Sequence, residues 1–299
     1  MSGLPDRMTD TVAYLNGQFL PLTEARISPL DRGFLFGDGI YEVIPSYQGN
    51  TVGLALHLAR LDQGLAAIGI TNPLDQAQWQ QLVQQLISHN LPLVSDNAGL
   101  GIYLQVSRGA DSKRGHAFPA DVRPTVFGFA FAIAAPPTGD LATAKGVAVY
   151  AQTDQRWRRC HLKSTALLGN VLHHQAGVEQ GFYETLLFNQ QDQLTEGSSC
   201  NVFVVHQGVV ATPPLDQQIL PGITRHILLQ LLRQAGCVVQ ERVISRAEVL
   251  NADEVWLTSS SKELVPVVQI EQHLIGSGAP GPVWAMAQQL FARHRFDPF

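Results

Sequence analysis

Near the middle of the chain, residues 136–144 read PPTGDLATA, two prolines and a glycine among small and polar residues. Proline lacks an N–H and glycine weakens regular elements, so no helix or central strand is expected to run through this stretch. The segment divides 299 residues into nearly equal halves, each long enough to build its own core. We therefore expect an N-terminal domain over 1–135, a linker over 136–144 and a C-terminal domain over 145–299.

Both halves mix the two hydrophobic periods. Alternation on either side of Asn16-Gly17 predicts an opening hairpin. FGDG at 36–39 reads as a flexible turn. The strand after it sets Tyr41, Val43 and Pro45 on one face and Ile40, Glu42 and Ile44 on the other. Apolar residues at helical spacing predict helices over 56–68 and 79–87. Strands over 101–107 and 125–134 follow, joined by a polar loop that contains KRGHAFP. In the second half strands are expected over 146–152, 184–188, 201–205, 237–243 and 254–258, with helices over 165–180, 223–235 and 283–293. The class is α+β, with no repeat that would signal a solenoid or propeller.

Composition narrows the partners. A net charge of −5 leaves no broad basic surface for nucleic acid. The longest apolar run, 126–135, is half the roughly 20 residues needed to span a bilayer as a helix, so no membrane is expected as a partner. The polar MSGLPDRMTD start is unlike a signal peptide, which points to the cytoplasm. Three widely spaced cysteines, Cys160, Cys200 and Cys237, form no zinc or disulfide pattern. The adjacent His173 and His174 point to different sides of a helix, so no metal site is expected.

Only four of the 20 basic side chains are lysines: Lys113, Lys145, Lys163 and Lys262. Lys163 lies in CHLKSTALLGN among apolar residues, where an amine loses hydration and its neutral, nucleophilic form is favoured. Glu196, in LTEGSSCNVF, sits between two apolar strands, and a buried carboxylate needs an arginine, a metal or a protonated ring nitrogen beside it. LPGIT places Gly222, Ile223 and Thr224 at a helix start, whose N–H groups and dipole suit an anion. TSSSKE at 258–263 adds hydroxyls directly after a strand. A nucleophilic amine, a buried carboxylate and a phosphate cup are the parts needed to hold pyridoxal 5′-phosphate.

In this order DRGFLFGDGIYEV, HLARLD, RWRRCHLKSTALLGNV, TEGSSCNVF and LPGITR resemble the fold type IV pyridoxal-phosphate enzymes over about residues 12 to 270. The resemblance implies two α+β domains with the cofactor in the cleft between them, and a homodimer. By position it makes Lys163 the Schiff-base lysine that also moves the proton. Glu196 becomes the partner of the pyridine nitrogen. Arg60 becomes a phosphate-binding arginine, joined by Ile223, Thr224 and Ser260. Arg114-x-His116, with Tyr41, is similar to the group by which D-amino acid aminotransferases hold the substrate carboxylate, an arrangement that presents the Cα–H of a D-amino acid to the lysine. The implied reaction is transamination of D-amino acids with a 2-oxo acid acceptor. Branched-chain L-aminotransferases, (R)-selective amine transaminases and aminodeoxychorismate lyases share the same frame. Two departures stand out: the stretch from Arg108 to Arg114 is one residue longer than the D-aminotransferase pattern, with Gly115 predicting a flexible loop, and Lys262 stands where a smaller residue is common.

Overall fold

The computed structural model describes residues 10–95 and 98–299. They divide into two units, the first running to Ala135 and taking in Leu162–Leu167 and Pro298–Phe299, the second made of Pro136–His161 and Leu168–Asp297. The chain break after Ala135 coincides with the start of the proline-glycine segment. That segment is not a separate linker, however. Gln288 donates to the Pro137 carbonyl at 3.0 Å and Gln289 to that of Gly139 at 3.0 Å, so both prolines and the glycine are held within the second unit.

The first unit holds β1 (Val12–Leu15), β2 (Gln18–Pro21), α1 (Arg32–Phe36), β3 (Gly39–Tyr47), β4 (Asn50–Thr51), α2 (Leu54–Ala67), α3 (Gln76–Asn90), β5 (Gly99–Ser107) and β6 (Thr125–Ile133). Its six strands form one sheet in the order β2-β1-β6-β5-β3-β4, with every neighbouring pair antiparallel. Asn16 and Gly17 turn the first hairpin with φ of 48° and 97°, as a two-residue turn between twisted strands requires. The apolar faces of α2 and α3 cover one side of the sheet, where Leu61, Leu65 and Leu86 pack on Ile40, Ile44, Ile102 and Leu104. On the opposite side the pleat lines up half-buried aromatics, with Tyr41 stacked on Tyr103 at 5.6 Å and Phe129 linking Tyr103 to Phe131.

The second unit contains β7 (Val147–Thr153), α4 (Leu168–Glu179), β8 (Thr185–Phe188), β9 (Leu194–Gly197), β10 (Asn201–His206), β11 (Val209–Thr212), α5 (Ile223–Gln234), β12 (Val239–Glu241), α6 (Arg246–Leu250), β13 (Glu254–Ser259), β14 (Glu263–Ile270), β15 (His273–Leu274) and α7 (Pro282–His294). Its sheet follows the order β12-β11-β10-β13-β14-β7-β8-β9, with β15 beside β14. The core gathers Val149, Leu186, Val202, Val204, Val255 and Leu257 from its central strands.

Four expectations change in detail. The FGDG turn is the C-terminus of a short helix, α1, capped by Gly37 at φ 65°. The strand expected over 237–243 shortens to β12. The helix expected from 165 begins at Leu168, and Lys163 belongs to the first unit rather than the second. The physical reason is the edge of β3. Tyr41 N–H donates to the Lys163 carbonyl at 3.0 Å and Thr165 N–H to that of Gly39 at 3.0 Å, so residues 163–165 satisfy main-chain groups that β4 does not reach.

Candidate active site

The lysine is placed by main-chain pairing and by an aromatic floor. Its segment is locked onto β3, and Lys163 Nζ lies 4.3 Å from the centroid of the Tyr41 ring. Gly37 allows this approach: its left-handed φ of 65° suits glycine, and a Cβ there would sit 2.8 Å from the Ala166 Cα. Tyr41 and Lys163, two of the predicted residues, are thus neighbours. Burial, with a smaller effect of Tyr41, pushes the adjacent Tyr103 phenol well above its ordinary range, and its hydroxyl donates to Gln105 at 2.7 Å.

On the other face of β3 lies a group the sequence reading did not join. Glu42 is fully buried. It accepts from Arg60 Nε and Nη2 at 2.7 and 2.8 Å, and its Oε2 is 2.7 Å from His57 Nδ1. His57 and Arg60 stand three apart on α2 and so reach the same point on the strand. Burial opposes ionisation of Glu42, but the Arg60 charge, with the hydrogen bonds of Arg60 and His57, outweighs it and holds the carboxyl far below its usual range. Burial pulls the His57 ring the other way, below its ordinary value, with Arg60 and Lys163 adding to the effect and Glu42 opposing it. Arg60, the predicted phosphate ligand, therefore has a fixed guanidinium plane.

Arg114 and His116 are both exposed. The Arg114 guanidinium lies 5.3 Å from the centroid of the Phe36 ring and the His116 ring 5.4 Å from the same point. Among the described residues no hydrogen bond or ring contact joins either of them to Tyr41 or Lys163.

In the second unit Glu196 is buried at the end of β9 and has three donors. Arg156 Nη1 reaches Oε1 at 2.6 Å, while Asn201 Nδ2 and the Leu220 N–H reach Oε2 at 3.1 and 3.0 Å. Burial pushes the carboxyl up to about 7, against the lowering effect of Arg156. Arg156 is itself fixed by Asp154, whose Oδ1 and Oδ2 take Nε and Nη2 at 3.0 and 2.8 Å. Of the three kinds of partner expected for a buried carboxylate, an arginine is present, Arg156, which the sequence reading did not single out. It lies seven residues before Lys163 in DQRWRRCHLK, where four basic side chains gave no means of choosing one.

Asn201 ties the carboxylate to the expected phosphate cup. Its amide donates to Glu196 and also to the Leu220 carbonyl at 2.9 Å. The next residues lead into α5, whose N-cap Gly222 supplies no side-chain cap, and Ile223 and Thr224 form its buried first turn. Gly222 is required by a close approach: a Cβ there would lie 2.0 Å from Asn201 Oδ1. Across the sheet Asn201 pairs with Thr258, two residues before Ser260. Thr258 Oγ1 is buried without a hydrogen-bond partner among the described residues. Lys262 turns outward, exposed, with Nζ 4.4 Å from the centroid of the Tyr183 ring.

Two further facts bear on other chemistries. Among the described residues no cluster of histidine, cysteine and carboxylate side chains could hold a metal ion, and no helix is long and apolar enough to cross a membrane.

The chain is similar to known proteins in sequence and in fold. A D-alanine aminotransferase of Bacillus licheniformis is 38% identical over 268 residues, covering 90% of this chain and 91% of that one. One from Staphylococcus haemolyticus is 33% identical over 285 residues, covering 95% and 98%. Among solved structures, the branched-chain amino acid aminotransferase of Escherichia coli superposes with a TM-score of 0.83 at 22% identity, over 96% of this chain and 94% of that one. A hypothetical aminotransferase from Mycobacterium tuberculosis in its PLP-bound form gives 0.81 at 18% identity, over 95% and 98%. At such identities these structures show the shared fold. Residues 39–270 match the family described as amino-transferase class IV, a span that takes in Arg60, Lys163, Glu196 and the start of α5, and the chain belongs to that family.

Proposed function

We propose that this chain is a pyridoxal 5′-phosphate-dependent aminotransferase that moves the amino group of D-amino acids to 2-oxo acids, as a cytoplasmic homodimer. The observation that carries the reading is Glu196: a buried carboxylate, raised to about 7 by burial, tied through Asn201 and Leu220 to an uncapped helix start. The donor set fits the cofactor. A carboxylate oxygen has two acceptor sites, and Oε1 takes Arg156 with one of them, leaving capacity for a protonated ring nitrogen. The unpartnered Thr258 hydroxyl, the first turn of α5 and the hydroxyls of Thr224 and Ser260 suit a phosphate. The family resemblance assigns Arg60, oriented by Glu42, to the phosphate as well.

When bound, the cofactor supplies an aldehyde that takes up amino groups and a ring that accepts electrons from the neighbouring carbon. The side chains do the rest. Lys163 Nζ, resting on Tyr41, holds the aldehyde and carries the proton to and from the substrate Cα. Glu196 keeps the ring nitrogen protonated by placing a negative charge beside it. Arg114, His116 and Tyr41 hold the substrate carboxylate, which selects the D-enantiomer. The relatives named above, called D-alanine aminotransferases, support that choice of hand.

The exposure of Arg114 and His116 in a single chain suits a loop that serves a second copy. The surface of α4 supports the same assembly: Leu168, Val171 and Leu172 fall on one stripe and are 71%, 56% and 61% exposed. Three free thiols are compatible with a reducing compartment.

Half-reactions separate the hands. D-alanine is expected to bleach the visible absorbance of the holoenzyme within the mixing time of a manual assay, and L-alanine to leave it unchanged. Bleaching by L-alanine alone overturns the reading.

A further inference from the structure

The loop between β5 and β6 has little to hold it. No main-chain to main-chain hydrogen bond involves residues 112–124 among the described residues, and a Cβ at Gly115 would meet nothing within 4 Å. No ladder pairing fixes the stretch that carries Arg114 and His116, whose side chains only rest against Phe36. A buried arginine does. Arg32, at the start of α1, sends Nη1 to the Gly115 carbonyl at 2.6 Å and Nη2 to the His116 carbonyl at 3.2 Å. Its Nε is held in turn by Asp38 Oδ2 at 2.8 Å.

Asp38 joins this arginine to a second. Arg108, the first residue after β5, gives Nε and Nη2 to the same carboxylate at 2.8 and 3.0 Å, and donates to the carbonyls of Ile68 and Gly69. The ring of Phe118 lies on its guanidinium, 3.5 Å from centroid to carbon. Two guanidinium groups around one carboxylate therefore grip the loop at its base, at Phe118 and at the Gly115-His116 carbonyls. Both arginines are buried, so these bonds are little weakened by water.

We infer that Arg32, backed by Asp38 and Arg108, is the positioning residue for substrate-carboxylate recognition: it sets the main chain from which Arg114 and His116 project, without touching substrate itself. The inference rests on the proposed role of that pair. A shift of roughly 1 Å in such a donor costs up to about a hundredfold in rate, so loosening the carbonyl grip is expected to weaken selection for carboxylated compounds and little else.

The test uses the purified holoenzyme and two reagents that both react with the cofactor aldehyde, aminooxyacetate, which carries a carboxylate, and O-methylhydroxylamine, which does not. The readout is the ratio of the second-order rate constants with which they abolish the visible absorbance. The wild-type ratio is expected to exceed about tenfold, the worth of a charge-assisted bond to a carboxylate. Arg32→Lys keeps a cation beside Asp38 but loses the fork, and is expected to cut the ratio about tenfold while the O-methylhydroxylamine rate stays as it was. In an Arg114→Ala background the same change is expected to have no further effect, since the two act on one contact.

A wild-type ratio near one defeats the carboxylate role of the loop, and this inference with it. A high wild-type ratio that Arg32→Lys preserves, or a variant that slows both reagents equally, overturns the inference alone. If Arg32→Lys yields no folded holoenzyme, Phe118→Ala decides. That residue is exposed, so folding is not at stake; a ratio lowered about threefold sustains the grip, and an unchanged ratio overturns it.

Discussion

Glu196 shows how one residue can report on its own ligand. Its carboxyl is raised to about 7 by burial, so the folded apoenzyme holds a proton there that the unfolded chain has already released above the ordinary glutamate range. Stability from this site is therefore present at acid pH and is lost as pH rises from about 4.5 to 7. A protonated ring nitrogen beside the carboxylate removes that dependence. The melting temperature of the apoenzyme is expected to fall by a few degrees more than that of Glu196→Gln over this interval, and the gap is expected to close when pyridoxal phosphate is added. Equal slopes for apoenzyme and variant would count against the raised carboxyl. At this scale the sequence was informative where a residue type is scarce or chemically odd: Lys163 is one of four lysines, and Glu196 a charge between apolar strands. It was silent where partners come from afar. Glu42, His57 and Asn201 read as ordinary strand or helix residues until pairing brings them to Arg60 and Glu196.

At the level of elements, the periodic segments were legible to within a few residues. Alternation and helical spacing come from which face is buried, and α2, α3, β5 and β6 each bury one face against a single core. The exceptions lack that signal. α1 is only five residues long and is set by its Asp31 cap and Gly37, and residues 163–165 are placed by pairing with a strand about 120 positions earlier. The start of α5 depends on a contact invisible in sequence, the Asn201 oxygen against the Gly222 Cα. Gly222→Ala is expected to push Asn201 away from both the Leu220 carbonyl and Glu196, weakening cofactor affinity about tenfold while the fold persists. Titration of apoenzyme with pyridoxal phosphate, followed by absorbance, measures this; unchanged affinity would show that Asn201 does not link the two ends of the site.

For the molecule as a whole, the proposed homodimer is the property that folding of one chain would leave incomplete. The apolar stripe of α4 is well exposed, and a charge on it is expected to be tolerated by the chain but not by a dimer. Leu172→Glu is expected to halve the sedimenting mass and to reduce turnover by an order of magnitude or more, because the carboxylate loop then serves no neighbour. A wild-type protein that sediments as a monomer would remove the basis for this expectation. The insertion of residues 162–167 into the first unit also orders events in time. The first unit cannot complete the edge of β3 when Ala135 is made; it must wait for Thr165, about thirty residues and roughly two to six seconds later at about 5–20 residues per second of synthesis. The Gly39 carbonyl and the Tyr41 N–H thus lack this pairing on the nascent chain until Thr165 and Lys163 arrive to cover them, so that completing this sheet edge and placing the amine proposed as the Schiff-base group are one event during translation.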